Sequence, residues 1–211
     1  MPPPVAPPWP LLVGFHGYRE GVAAHLAMLT QIPGADQWLV VAIQGLHRFY
    51  DKGGGVVASW MTKEDRELAI TDNVAYVARV LTAVRREYGT CPPLVFAGFS
   101  QGVAMAFRAA ASLGAEGLIA IAADVPPDVA AGTAVPLPPV LYARGGRDEL
   151  YSAEQHARDL EALERLGVSV ESVTFDGGHE WTADVRAAAG RALAAWVGSR
   201  TPRSAATPAT P

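Results

Sequence analysis

Five short runs of almost unbroken apolar residues set the strongest limit on the fold. They are Leu11–Phe15, Trp38–Ile43, Leu94–Ala97, Leu118–Ala122 and Val140–Ala143. Near-continuous apolar strands suit a parallel sheet covered on both faces. A sixth candidate strand is Val170–Phe175. Helical patterns lie between the runs. The longest spans about Glu64–Tyr88, with one buried stripe at Ile70, Val74, Val77, Leu81, Val84 and Tyr88. A second starts after Ser152, where Ser152 and Gln155 form a capping box, and stops at Gly167. A third runs from about Ala183 to Val197, with Thr182 as its cap. Strands alternating with helices predict a parallel α/β sheet.

The chain has 211 residues, which predicts one domain. Met1–Pro10 contains six prolines and reads as an extended tail (residues 1–10), not a secretory signal. Residues 199–211 read as a second disordered tail, leaving a domain over residues 11–198. The stretch Pro126–Pro139 is a loop, because a strand and two helices still follow it. Seventeen basic and 21 acidic residues give a net charge of −4. With no basic block, nucleic acid is not an expected partner. No apolar run approaches the length of a membrane span, and a cytoplasmic location is the default. The single cysteine, Cys91, excludes an internal disulfide framework and is read as a plain thiol.

The segment Leu94-Val-Phe-Ala-Gly98-Phe-Ser100-Gln-Gly102 is G-x-S-x-G between a buried strand and a helix. Such a turn strains the serine backbone and exposes its hydroxyl. Glycines two residues either side are needed, because side chains there would collide with the neighbouring strand and helix. The turn also aims the free N–H groups of the helix start at a reacting oxygen. A serine hydroxyl is a poor nucleophile without a base, and the base needs an orienting carboxylate. In this arrangement the order along the chain is Ser, acid, His. Two histidines follow Ser100. His156 sits inside a helical pattern and is read as solvated. His179, in Asp176-Gly-Gly-His179, follows the last strand, and the two glycines let the imidazole turn back toward the sheet edge. For the acid, Asp148 follows the strand Val140–Ala143 and is preferred to Asp124 and Asp176. All three groups then fall at the carboxyl ends of parallel strands, where open α/β sheets bind ligands. The backbone N–H of Gln101 and that of Tyr18, in the loop after the first strand, are the candidate oxyanion donors. His16 in that loop is read as a buttress rather than a base.

These motifs resemble the α/β-hydrolase superfamily. More narrowly, they resemble the phospholipase/carboxylesterase family of small serine esterases, which includes acyl-protein thioesterases and lysophospholipases. The resemblance covers about residues 10–198. Gly98-Phe-Ser-Gln-Gly102 is similar to the family's G-F-S-Q-G, Phe15-His-Gly-Tyr18 to its oxyanion loop, and Gly178-His179 to its final G-H; Asp148 falls where its acid lies. Three places depart from the family pattern: Arg19-Glu20, Arg144 and Ala122-Ala123. The resemblance implies a compact α/β-hydrolase with a mostly parallel central sheet flanked by helices and no large lid domain.

It also implies a serine hydrolase cleaving carboxylic esters, with Ser100, Asp148 and His179 as triad. The alternatives are a thioesterase or lysophospholipase, and an inactive binding module on the same fold. The expected partner is a small-molecule ester or thioester. No cofactor is called for, and the scattered histidines do not suit a metal. The stretch from Gln44 to Trp60 reads as a long loop after the second strand, of the kind that carries specificity. Trp60 resembles a family tryptophan lining the acyl site, with structural packing as the alternative. His16 and Phe99 are further candidate substrate contacts.

Overall fold

The computed structural model describes residues 2–4 and 6–198; the expected tail at 199–211 lies outside the described residues. Six strands form one sheet: β1 (Trp9–Phe15), β2 (Leu39–Ile43), β5 (Thr90–Phe99), β6 (Gly117–Ile121), β7 (Val140–Gly145) and β8 (Val170–Phe175). Their order is β2-β1-β5-β6-β7-β8, and every neighbouring pair is parallel. All six expected strands are present, and β1 begins two residues earlier than the apolar run, at Trp9.

Alternation along the strands explains why the runs are apolar throughout. Leu11, Val13 and Phe15 of β1 enter one core, together with Val77 and Leu81 of α2 (Arg66–Tyr88), Phe107 of α3 (Gln101–Leu113) and Leu163 of α5 (Ala153–Arg165). Leu12 enters the opposite core, with Leu29 of α1 (Val22–Leu29) and Val185, Ala189 and Leu193 of α6 (Ala183–Gly198). Both faces of the sheet are therefore covered, as parallel strands require. At Ser152 the capping box forms in both directions, Ser152 Oγ accepting from Gln155 N–H and Gln155 Oε1 from Ser152 N–H. Thr182 Oγ1 accepts from Val185 N–H at 3.3 Å, the expected cap of α6. A short helix, α4 (Pro127–Ala130), interrupts the Pro-rich loop.

The expected long loop after β2 is instead a second, two-stranded sheet. β3 (His47–Tyr50) pairs antiparallel with β4 (Val56–Ser59). Its turn is organised by Asp51, whose Oδ1 accepts from Gly53 N–H and Gly55 N–H. Glycines at 53–55 thus close a hairpin. The hairpin touches the β1–α1 connection through a Glu20–Ala58 bridge. Among the described residues no helix is long and apolar enough to cross a membrane.

Candidate active site

The chain turns from β5 into α3 at Ser100, whose backbone stands at φ 51°, ψ −127°. A non-glycine residue at positive φ is strained. The flanking glycines allow it. A Cβ on Gly98 would lie 2.6 Å from Gly102 O, and one on Gly102 would lie 2.0 Å from Phe15 O. Both clashes are with backbone, so α3 could not pack this close to the sheet otherwise. Ser100 N–H is held by Ile121 O at 2.9 Å.

Three side chains from the ends of three strands meet in one line. Ser100 Oγ lies 2.8 Å from His179 Nε2, and His179 Nδ1 lies 2.9 Å from Asp148 Oδ2. Asp148 is 6% exposed. Its Oδ1 accepts from Leu150 N–H and Tyr151 N–H at 2.9 and 3.0 Å. A carboxylate so held accepts the hydrogen bond of His179 Nδ1–H, which leaves Nε2 as the acceptor of the Ser100 hydroxyl hydrogen bond. Of the three acids weighed, Asp148 is the one joined to His179; Asp124 lines the cleft nearby, and Asp176 pairs with Arg147 on the surface. The His179 ring packs against Phe99, with ring centroids 5.1 Å apart.

The loop after β1 spends its N–H groups in order. Gly17 N–H goes to Glu20 Oε2 at 2.6 Å, Arg19 N–H to Ala58 O at 3.0 Å and Glu20 N–H to Gly17 O at 3.3 Å. Tyr18 N–H takes no partner among the described residues. Gln101 opens α3, where N–H groups have no partner within the helix. The Gln101 side chain faces the other way, its Oε1 accepting from Trp60 N–H at 2.9 Å. Gly17 abuts the nucleophile: a Cβ there would lie 3.5 Å from Ser100 Cβ.

Beneath this loop lies a buried polar scaffold. His16 Nε2 accepts from Gly45 N–H at 2.9 Å, so Nδ1 carries the proton and donates to Gly17 O at 2.7 Å. Burial pushes the His16 pKa below its ordinary value, which keeps the ring neutral. Trp60 Nε1 donates to His16 O at 2.8 Å, and Asn73 Nδ2 donates to Trp60 O. His16 and Trp60 are both 0% exposed. The expectation that they contact substrate is therefore corrected. They are pillars of the loop, and Phe99 is the wall behind His179 rather than part of the cleft lining. Glu20 was not singled out from sequence. Burial pushes its carboxyl upward, but the His25 ring 3.6 Å away and the hydrogen bond from Gly17 N–H outweigh it and hold it below the ordinary value.

His156 also departs from expectation, being 6% exposed rather than solvated. Its Nε2 lies 2.9 Å from Ser172 Oγ and its Nδ1 3.3 Å from Tyr151 Oη. Tyr151 and Tyr142 share Asp159 Oδ2, at 2.7 and 3.0 Å. Burial and the Arg144 charge push His156 down to about 4. The periodicity His156–Asp159–Leu163 on one face of α5 was the available signal.

The cleft over the serine has two lobes. A lobe of about 330 Å³ is lined by Ser100, His179, Ala122, Asp124, Leu150 and Tyr151. A larger lobe of about 600 Å³ is lined by Tyr18, His47, Phe49 and Lys63. Met61, Arg66 and Gln101 line both and form the ridge between them. Among the described residues no cluster of His, Cys, Asp and Glu could hold a metal ion.

No protein-family model matches the chain, and no curated protein sequence matches it. Solved structures do. Esterase PE8 is 24% identical, with a TM-score of 0.70 over 90% of this chain and 94% of that one. The carboxylesterase of Bacillus cereus is 18% identical, with a TM-score of 0.70 over 87% and 86%. TT1662 from Thermus thermophilus is 23% identical, with a TM-score of 0.69 over 94% and 92%. These likenesses span nearly the whole of each molecule, and they carry the same conclusion as the strand order and the turn at Ser100: the chain has the compact α/β-hydrolase fold of these solved structures.

Proposed function

We propose that this protein is a serine hydrolase that cleaves carboxylic esters through an acyl-enzyme on Ser100. The observation that carries the reading is the unbroken hydrogen-bonded line Ser100–His179–Asp148, at 2.8 and 2.9 Å. Ser100 Oγ attacks the acyl carbon as His179 Nε2 takes its proton. Asp148 holds the imidazole in place and balances the charge it gains. The carbonyl oxygen becomes an oxyanion within reach of Tyr18 N–H and Gln101 N–H. The tetrahedral adduct collapses, the ester C–O bond breaks, and His179 returns the proton to the departing alcohol. Water, deprotonated by His179, then attacks the acyl-enzyme; the second adduct collapses as His179 returns that proton to Ser100 Oγ, and the acid is released. The fold shared with solved esterases supports the same chemistry.

The test is intact mass after fluorophosphonate treatment. Wild type should gain one adduct and Ser100→Ala none. An unlabelled, folded wild type would refute the mechanism and leave a binding module on a hydrolase fold. Oxygen and sulfur esters of one acyl chain, compared side by side, separate an esterase from a thioesterase.

A further inference from the structure

The two lobes of the cleft differ in charge. Ser100 and His179 both line the smaller lobe and neither lines the larger. Because His179 must protonate the departing oxygen, the alcohol part of an ester lies in the smaller lobe. The acyl part extends past Gln101 into the larger one, where Tyr18 stands at its entrance. This ordering rests on the triad reading above.

The larger lobe is built for an acyl chain that ends in a negative charge. Lys63 and Arg66 both line it, and no carboxylate does. Neither cation has a carboxylate partner within 4.0 Å among the described residues. Glu64, Asp65 and Glu67 belong to the same stretch of chain, yet none of them lines the lobe. Arg66 Nη1 rests against Met61 Sδ at 3.3 Å, which holds the guanidinium over the ridge. His47 lines the lobe as well, with its Nε2 turned inward and buried. The remaining walls are aromatic. Tyr18 and Phe49 stack with centroids 5.9 Å apart and suit a short methylene chain. The smaller lobe shares Arg66 but adds the carboxylate of Asp124 and lacks Lys63, which makes it the less favourable lobe for an anionic alcohol.

We infer that the preferred substrates are half-esters of dicarboxylic acids, with the free carboxylate bound between Lys63 and Arg66 and a neutral alcohol leaving on the His179 side. The comparison that tests this is kcat/KM for monobenzyl glutarate against benzyl hexanoate, two esters of similar acyl length. Wild type should favour the glutarate at least fivefold at low salt. Lys63→Met and Arg66→Met should each lower the glutarate-to-hexanoate ratio about fivefold, and 0.5 M salt should compress it, since exposed charge pairs are screened. A wild-type ratio at or below one, or a ratio that neither substitution moves, would overturn the inference. A protein that takes up fluorophosphonate and cleaves hexanoate but not glutarate keeps the esterase reading and loses only this one. A protein that labels with nothing and cleaves neither ester loses both.

Discussion

Replacing Gly145 with alanine should disable the site without touching any of its reacting atoms. Gly145 ends β7, beside the loop that carries His179. A Cβ there would stand 2.1 Å from Gly178 O, 2.6 Å from Gly177 O and 2.9 Å from Gly177 C. All three atoms are backbone, so no side chain can swing away. Restoring a tolerable contact requires the Gly177–His179 segment to retreat by about 1 Å. The Ser100–His179 hydrogen bond, now 2.8 Å, would then exceed normal hydrogen-bond range. A misplacement of about 1 Å in a reacting pair costs on the order of 10²-fold in rate. Overpacking of this kind costs about 1–3 kcal/mol, or roughly 2–10 °C in Tm for a chain of this size. The neighbour is the control. A Cβ on Gly146 meets nothing closer than Phe175 O at 3.4 Å, so Gly146→Ala should stay within about threefold of wild type. The assay is kcat/KM on an aryl ester at 25 °C, with circular dichroism to establish that both variants are folded. Gly145→Ala with wild-type turnover and an unchanged Tm would show that the loop is not wedged against β7, and the reasoning would fail.

Other substitutions probe separate links. Ser100→Ala and His179→Ala should each lower turnover by about 10³-fold or more, and Asp148→Asn by somewhat less, read as kcat on the same ester. Glu20→Ala removes the acceptor of Gly17 N–H and frees the loop that presents Tyr18 N–H; kcat should fall about tenfold with KM little changed, and Glu20→Gln, which keeps an acceptor, should recover most of it. An equal loss in both Glu20 variants would assign the effect to charge instead of loop geometry. His156 makes stability depend on pH. It binds a proton near 6.5 in the unfolded chain and near 4 in the folded one. Its contribution is therefore complete above pH 6.5 and is lost as pH falls toward 4, by up to about 3 kcal/mol. Urea unfolding at pH 7 and pH 4.5 measures the drop, and His156→Gln should flatten it; an identical drop in that variant would exonerate His156.

The parts of the fold legible in the sequence are those governed by local rules. Apolar runs covered on both faces, one helical stripe at Val77 and Leu81, and a capping box at Ser152 each have a signature within a few residues. The hydrogen-bonded line Ser100–His179–Asp148 was legible because strand ends are where such sheets place their chemistry, so that position after a strand stood in for distance. The hairpin was not. Its strands are four residues each, and β3 is half exposed, so no burial pattern marks it; only the Asp51–Gly55 turn hinted at a reversal. His16 and Trp60 were left between two readings, substrate contact and support, for a different reason. A histidine and a tryptophan beside a catalytic loop look alike in sequence whether they face the cleft or hold up its floor. Burial decides, and burial is a property of the whole packing. Glu20 escaped because its partners, Gly17 N–H and the buried His25, become meaningful only once the loop has closed on itself.

The triad's line runs between residues 79 positions apart in the chain, and its last member hangs from β8, the outermost strand of the sheet. Pairing at that edge is the step that brings base to nucleophile. A growing polypeptide that has exposed Ser100 but not yet added β8 holds an ordinary, unreactive alcohol. Under the proposed mechanism, reactivity would thus be a certificate of finished folding. A covalent label on Ser100 would then count natively folded molecules, and a lesion that frays the β8 edge would silence the serine before the rest of the sheet is lost.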